Sequence, residues 1–266
     1  MEIKTNHTFA ICAYKESKYL EECILSLINQ SVRTNILIAT ATPNSYIEDI
    51  SQKYNIPLYI NIGKAGITAD WNFAYSKAKT KYITIAHQDD IYLKDYVKKA
   101  LQYLNRAKRP LLFFSHYGEI RQNDIVYNNK LLDVKKKMLL PLEVRLFQSS
   151  KFIRRRILSL GDPICCPAVT FVRANLPEKI FKSGFRSCED WEAWEMISKM
   201  KGDFLYCKES LVLHRIHEES ATTAIIGDNL RSKEDYQMFS KFWPKPVARL
   251  IVKFYSDSEK SNDLQQ

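Results

Sequence analysis

The sequence predicts an α/β fold: a mostly parallel central sheet, helices on its faces and a helical C-terminal extension. From Phe9 to Ala86, short apolar runs alternate with segments whose apolar residues recur at helical spacing. That alternation is the mark of βαβ units. Each run also ends abruptly in polar residues, as strands do when their carboxyl ends meet a ligand-binding edge. With 266 residues, 45% of them hydrophobic, the chain can bury a substantial core without a metal or disulfide staple.

Thr8-Phe9-Ala10-Ile11-Cys12-Ala13 reads as the first strand, and it breaks into Tyr14-Lys15-Glu16-Ser17. Leu20, Cys23, Ile24 and Leu27 follow at helical spacing. Asn35 to Thr40 forms the next strand, closed by Thr42-Pro43-Asn44-Ser45, and Ile47, Ile50 and Tyr54 give a second helical face. A third strand at Leu58-Tyr59-Ile60-Asn61 leads through Gly63-Lys64-Ala65-Gly66 into a helix over Thr68 to Lys79, then a strand over Tyr82 to Ala86. This order gathers Tyr14-Lys15-Glu16, Thr40-Ala41-Thr42, Gly63-Lys64 and His87-Gln88-Asp89-Asp90 on one edge.

Beyond Asp90 the pattern gives a basic helix over Lys94 to Arg106 and a strand over Pro110 to Ser115. The stretch from Gln122 to Gly161 is less regular, with Lys135-Lys136-Lys137 and Arg154-Arg155-Arg156 set among Leu139, Leu140, Leu142, Leu146, Phe147 and Ile153. Such clusters suit either solvated helix faces or an anionic membrane surface. A strand over Ala168 to Arg173, a helix from Glu189 to Met200, strands at Phe204 to Cys207 and Leu211 to Ile216, and a helix from Asn229 to Trp243 complete the order. The polar stretch from Ser256 to Gln266 reads as disordered.

A formal net charge of +10 favours anionic partners: nucleic acid, nucleotide phosphates or an anionic membrane. Nucleic acid is the weakest of the three, because the aromatic residues lie along apolar runs as core residues do and the basic clusters sit away from the strand ends. No run reaches the length of a membrane span, and Met1 to His7 lacks the apolar segment of a secretory signal. The expected compartment is the cytosol. The six cysteines show no Cys-x-x-Cys spacing and read as reduced thiols.

Two adjacent carboxylates are hard to keep ionised without a cation, so Asp89-Asp90 after an apolar strand points to metal or phosphate chemistry, or else to a helix cap. Asp190 opens a helix whose dipole and free N–H groups favour its anion, which suits a base as well as a cap. His217 at a strand-to-loop junction is a metal ligand or a surface histidine.

The ordered set Phe9 to Glu16, Asp70-Trp71-Asn72, His87-Gln88-Asp89-Asp90, Glu189-Asp190-Trp191 and Arg215-Ile216-His217-Glu218-Glu219-Ser220 resembles family 2 glycosyltransferases of the GT-A fold, in particular bacterial enzymes of surface-polysaccharide synthesis. The resemblance implies a Rossmann-like sheet and inverting transfer from a nucleotide-diphosphate sugar to a hydroxyl of a saccharide or lipid-linked saccharide. It implies Mn2+ or Mg2+ on Asp89 and His217, Asp190 as catalytic base, and Asp90, Glu189 and Trp191 near the donor or acceptor sugar. Ala13, Tyr14, Glu16, Thr42, Asn72 and Gln88 would line the nucleotide pocket. His87 and Gln88 stand where the family's Asp-X-Asp motif has its first two residues, so the first carboxylate is missing. Thr40-Ala41-Thr42 carries none of the carboxylates that commonly read the base. A non-catalytic sugar-nucleotide-binding subunit is the rival reading. The expected organisation is one glycosyltransferase domain over residues 1–226, with a nucleotide-sugar half (1–117) and an acceptor half (118–226), and a basic, aromatic tail over 227–266. Peripheral contact with an anionic membrane at the inner face of the plasma membrane is left open.

Overall fold

A computed structural model describes residues 5–63, 66–122, 124–182, 184–217 and 230–263. Lys64, Glu218-Glu219-Ser220 and the boundary expected at 226–227 lie outside the described residues.

The first half alternates as expected: β1 (His7–Ala13), α1 (Leu20–Ile28), β2 (Asn35–Thr40), α2 (Ser45–Lys53), β3 (Leu58–Ile60), α3 (Ile67–Lys77) and β4 (Tyr82–His87). Next come β5 (Ile91–Tyr92), α4 (Tyr96–Arg106), β6 (Pro110–Arg121), β7 (Asp124–Val126), α5 (Lys130–Leu139) and α6 (Lys151–Leu158). The chain continues with β8 (Val169–Val172), α7 (Glu189–Ser198), β9 (Asp203–Ile216), α8 (Leu230–Ser240) and α9 (Lys245–Asp263). Three sequence expectations change. The irregular stretch holds two helices; the two late strands are one 14-residue strand; and the C-terminal stretch expected to be disordered continues α9 as far as Asp263.

Among the described residues the sheet order is β3-β2-β1-β4-β8-β6-β9-β5, with β7 on β6. The strands β3, β2, β1 and β4 are parallel; β8 runs antiparallel between β4 and β6, and β9 returns parallel to β6. Period-2 alternation splits β1 between two cores: Phe9 and Ile11 face α1, α2 and α4, while Ala10 joins the larger core under α3, α6, α7 and α9. Cys12 pairs with His87 and Ala13 with Thr40, so the carboxyl ends of β1, β2 and β4 are level. Short β5 pairs antiparallel with β9, Ile91 with Leu213, and carries the residues after Leu213 over the Asp89-Asp90 turn.

Caps set the helix starts: Asn44 accepts from Ile47 N at 3.0 Å and Asn129 from Leu132 N at 2.8 Å. The Arg154-Arg155-Arg156 cluster divides. Arg154 is buried over Phe204, and its guanidinium donates to the carbonyls of Ser198 (2.7 Å) at the end of α7 and of Met200 and Gly202 (2.5 Å) in the turn after it. The Ser198 carbonyl is one that a helix C-terminus must satisfy elsewhere. Arg154 is therefore a tie between α6 and α7, whereas Arg156 stays exposed over Trp243. Arg154→Met should lower stability by about 3 kcal/mol or more, since it leaves buried carbonyls unpaired. A fall in the urea midpoint with an unchanged slope is the expected result.

Candidate functional site

Three strand-end loops are stitched together at the level edge. Gln88 pairs with the backbone of Tyr14 at both ends of its amide: Oε1 accepts from Tyr14 N (2.9 Å), and Nε2 donates to Tyr14 O (3.0 Å). Lys15, in the left-handed region at φ 55°, donates its N–H to Thr42 Oγ1 at 2.6 Å. Ala13 is buried at the end of β1, while the side chains of Tyr14 and Glu16 are exposed at the rim. The structure thus brings Ala13, Tyr14, Glu16, Thr42 and Gln88 to one edge, with Gln88 and Thr42 shaping it through backbone contacts. Asn72 differs from expectation. Its Oδ1 accepts from Ile180 N (3.0 Å) and Phe181 N (3.1 Å), and its Nδ2 donates to Phe181 O (2.7 Å), so its amide holds the 180–181 loop instead of facing a nucleotide. Its neighbour Trp71 stacks on His87 at 5.1 Å.

At the end of β4 the two aspartates have different jobs. Asp90 is buried, and its Oδ1 accepts from His214 Nδ1 and Arg215 N, both at 2.9 Å. Burial opposes charge on His214, but the Asp90 carboxylate outweighs it and raises the imidazole to about 9. Asp90 is thus primarily a structural anchor for β9. Asp89 is less buried: Oδ2 lies 2.9 Å from His217 Nε2, and its backbone O accepts from Arg215 Nε at 3.0 Å. Asp89, Asp90 and His87 each offer an atom within 4.8 Å of one another, and Asp90 Oδ2 and His87 Nε2 are buried without a hydrogen-bond partner. Oxygen and imidazole donors so arranged fit Mn2+ or Mg2+.

Asp190 stands on the first turn of α7, where its Oδ1 accepts from Trp191 N at 2.8 Å. Burial raises its proton affinity, while Lys135 and His87 favour the anion. Burial first, and the charge of Asp190 second, push the carboxyl of Asp162, from the irregular stretch, well above the ordinary carboxylate range. Asp162 accepts from Ile164 N at 3.1 Å, and Lys135 donates to Tyr117 Oη at 3.0 Å. Burial pushes the Cys165 thiol up, Asp90, Asp190 and Asp162 add to that shift, and Lys135 opposes it. Trp191 is a correction: at 2% exposure it donates Nε1–H to Leu158 O (3.1 Å) and packs edge-on to Phe239, which makes it a core residue and not a sugar contact.

Sequence reasoning gave no role to Asp162, Lys135 or His214. His214 and Arg215 sit in the strand that precedes His217, and period 2 across that strand was the available signal. Asp162 carried none.

Glu189 is buried, and desolvation raises its carboxyl to about 7. Between the ordinary carboxylate range and 7 the folded state holds the extra proton, so stability falls as pH rises through that window. Glu189→Gln should remove on the order of 2–3 kcal/mol of that slope. Urea midpoints at acidic and slightly alkaline pH check this; an unchanged slope refutes it.

The model of the family described as "Glycosyl transferase family 2" matches residues 8–181, more than half of the chain. An uncharacterized glycosyltransferase of Haemophilus influenzae is 25% identical over 219 residues, covering 78% of this chain and 64% of the relative, so the chain spans less than two thirds of that protein. Staphylococcus aureus TarS 1–349 in complex with UDP-GlcNAc shares the fold at a TM-score of 0.63, with 14% identity over 94% of this chain and 70% of that one. The mannosyltransferase PcManGT of Pyrobaculum calidifontis, in complex with GDP-Man and Mn2+, does so at 0.59, with 12% identity over 96% and 70%. The fold is that of GT-A glycosyltransferases, and the chain belongs to glycosyltransferase family 2.

Proposed function

We propose that the chain transfers a sugar, with inversion, from a nucleotide-diphosphate sugar to a hydroxyl of a saccharide or lipid-linked saccharide in surface-polysaccharide synthesis. The observation that carries this reading is the Asp89–His217 pair at the carboxyl edge of the sheet, with Asp190 at the start of α7 as the candidate base. The solved neighbours bound to UDP-GlcNAc and to GDP-Man with Mn2+ support the donor class.

Asp89 and His217, with His87 and Asp90 beside them, would hold Mn2+ or Mg2+. Such an ion neutralises charge on a departing diphosphate. The chain supplies the rest. The Tyr14, Thr42 and Gln88 loops form the rim for the nucleotide, and Trp71 on His87 walls the site. Asp190 takes the proton of the acceptor hydroxyl as that oxygen attacks the anomeric carbon from the face opposite the diphosphate; one displacement of this kind inverts configuration.

The C-terminal helix supports an acceptor presented at an anionic membrane, although no helix among the described residues is long and apolar enough to cross one. One face of α9, with Ala248, Ile251, Val252 and Tyr255, packs on the core. A second stripe, Val247, Leu250 (58% exposed) and Phe254 (67%), is exposed, with exposed Arg249 and Lys253 along one side of it. Phe152 (70%) on α6 and Leu160 just after it add apolar surface, and the residues flanking the two helices meet where Trp243 Nε1 donates to Ser159 O at 2.8 Å. An exposed apolar stripe edged with cations suits an anionic bilayer surface.

Asp190→Asn should lower kcat about 100- to 10,000-fold, with donor affinity nearly unchanged; lost donor binding with preserved turnover contradicts the assignment. Calorimetric titration of donor should show Mn2+-dependent affinity in the native chain and none of that dependence in Asp89→Ala. Leu250→Ser with Phe254→Ser should weaken sedimentation with anionic vesicles about tenfold or more, and equal binding by the double variant refutes the membrane face.

A further inference from the structure

We propose that Glu234 is a positioning residue for the candidate base: its carboxylate grips the two residues that lead into α7 and so sets where Asp190, on the first turn of that helix, is held. This rests on the reading of Asp190 as the base.

The start of α7 has no side-chain cap of its own. Cys188 stands at the N-cap position, and its side chain makes no capping bond. A Ser, Thr, Asp or Asn there ordinarily fixes the entry to a helix by accepting from its first free N–H groups. Here the holding comes from another helix. Glu234, on α8, is 4% exposed. Its Oε1 accepts from Arg186 N at 2.8 Å, and its Oε2 accepts from Ser187 N at 2.8 Å and from Ser187 Oγ at 2.7 Å. Both oxygens of one buried carboxylate are thus committed to two consecutive residues just before the helix. Hydrogen bonds to an ionised acceptor are short and strong, and two of them side by side fix direction as well as distance.

The rest of α8 continues the grip past Asp190. Asp235 Oδ1 accepts from Cys188 Sγ at 3.6 Å, and Phe239 lies edge-on to Trp191 with ring centroids 5.0 Å apart. Just beyond the helix, Lys241 Nζ donates to Glu192 Oε1 at 2.6 Å. Contacts at 186, 187 and 188 on one side and at 191 and 192 on the other bracket Asp190. Glu192 N returns to Cys188 O at 2.9 Å, so the approach and the first turn move as one piece. Asp190 Oδ1 in turn accepts from Trp191 N at 2.8 Å, inside that same turn, so its carboxylate goes where the turn goes.

A base works only within hydrogen-bond reach of the hydroxyl it deprotonates, and a misplacement of about 1 Å can cost about 100-fold in rate. The groups assigned to the donor are carried elsewhere: Gln88 and Asp89 follow β4, Thr42 follows β2 and His217 follows β9. Loosening the entry to α7 therefore displaces the base and leaves the donor side in place. Glu234 takes up no proton in the transfer; its part is confined to position.

The test is a double-variant cycle of Glu234→Gln and Asp190→Asn. Gln keeps one acceptor oxygen, so α8 stays packed while part of the grip is lost. Glu234→Gln should lower kcat about tenfold at saturating donor and acceptor, with donor affinity in calorimetric titration unchanged. In the Asp190→Asn background the same change should cost nothing further, because a base that is gone cannot be misplaced. A tenfold loss in both backgrounds, or donor affinity falling in step with kcat, marks a purely structural role and overturns the proposal. Hydrogen exchange gives a readout that needs no turnover: the Arg186 and Ser187 amides should exchange about tenfold faster in Glu234→Gln, and unchanged exchange overturns the grip. If Glu234→Gln does not fold, Ser187→Ala removes the Oγ bond alone; it should lower kcat about twofold or more with donor affinity kept, and an unchanged kcat overturns the proposal. Should Asp190→Asn keep full activity, the base reading fails on its own account, while exchange at Arg186 and Ser187 still reports whether Glu234 holds the loop.

Discussion

Asp90 lies under the edge of the sheet with no exposure, and its Oδ1 holds both the imidazole of His214 and the backbone N–H of Arg215. A buried carboxylate needs such partners, and these two come from the far half of the chain. The bond fixes β9 over the end of β4. Arg215 then reaches Asp89 O and Glu22 Oε2, and His217 arrives at the Asp89 carboxylate. The parallel strands β1 to β4 and the second half of the sheet meet at this point. Without it, Asp89 and His217 would be two polar residues in unrelated loops.

Asp89 and Asp90, side by side at the end of β4, make an acidic patch in a protein of net charge +10. His214, whose imidazole the Asp90 carboxylate holds charged, and Arg215, both on β9, balance this patch. The three lysines at 135–137 are not one functional unit. Lys135 is bound to Tyr117 Oη, while Lys136 holds Tyr127 O and Asn128 at the surface. The arginine triplet divides in the same way, with Arg154 in the core, Arg155 on Glu195 and Arg156 over Trp243.

The strand-helix order from β1 to β4, the helical face of α1 and the position of the Asp89 turn at a sheet edge could all be read from the sequence, because hydrophobic period and turn residues are local properties. So could the placing of Asp190 on the first turn of a helix. Two things could not be read. Trp191 and Asn72 lie in motifs that suggested ligand contacts, yet packing against Phe239 and the 180–181 loop claims their side chains. The helices between Gln122 and Gly161 were hidden because their apolar residues pack in short stretches broken by lysines and arginines.

What the sequence determined by itself was therefore the layered α/β plan and the presence of carboxylates at a strand end and a helix start. Tertiary structure alone decided which of those carboxylates meet a histidine and which are held by backbone N–H groups. The physical reason is range. Helix and strand periods depend on neighbours a few residues apart, whereas the charge state of Asp90 is set by residues 124 and 125 positions away, and that of Asp162 by Asp190 and Lys135 on other elements.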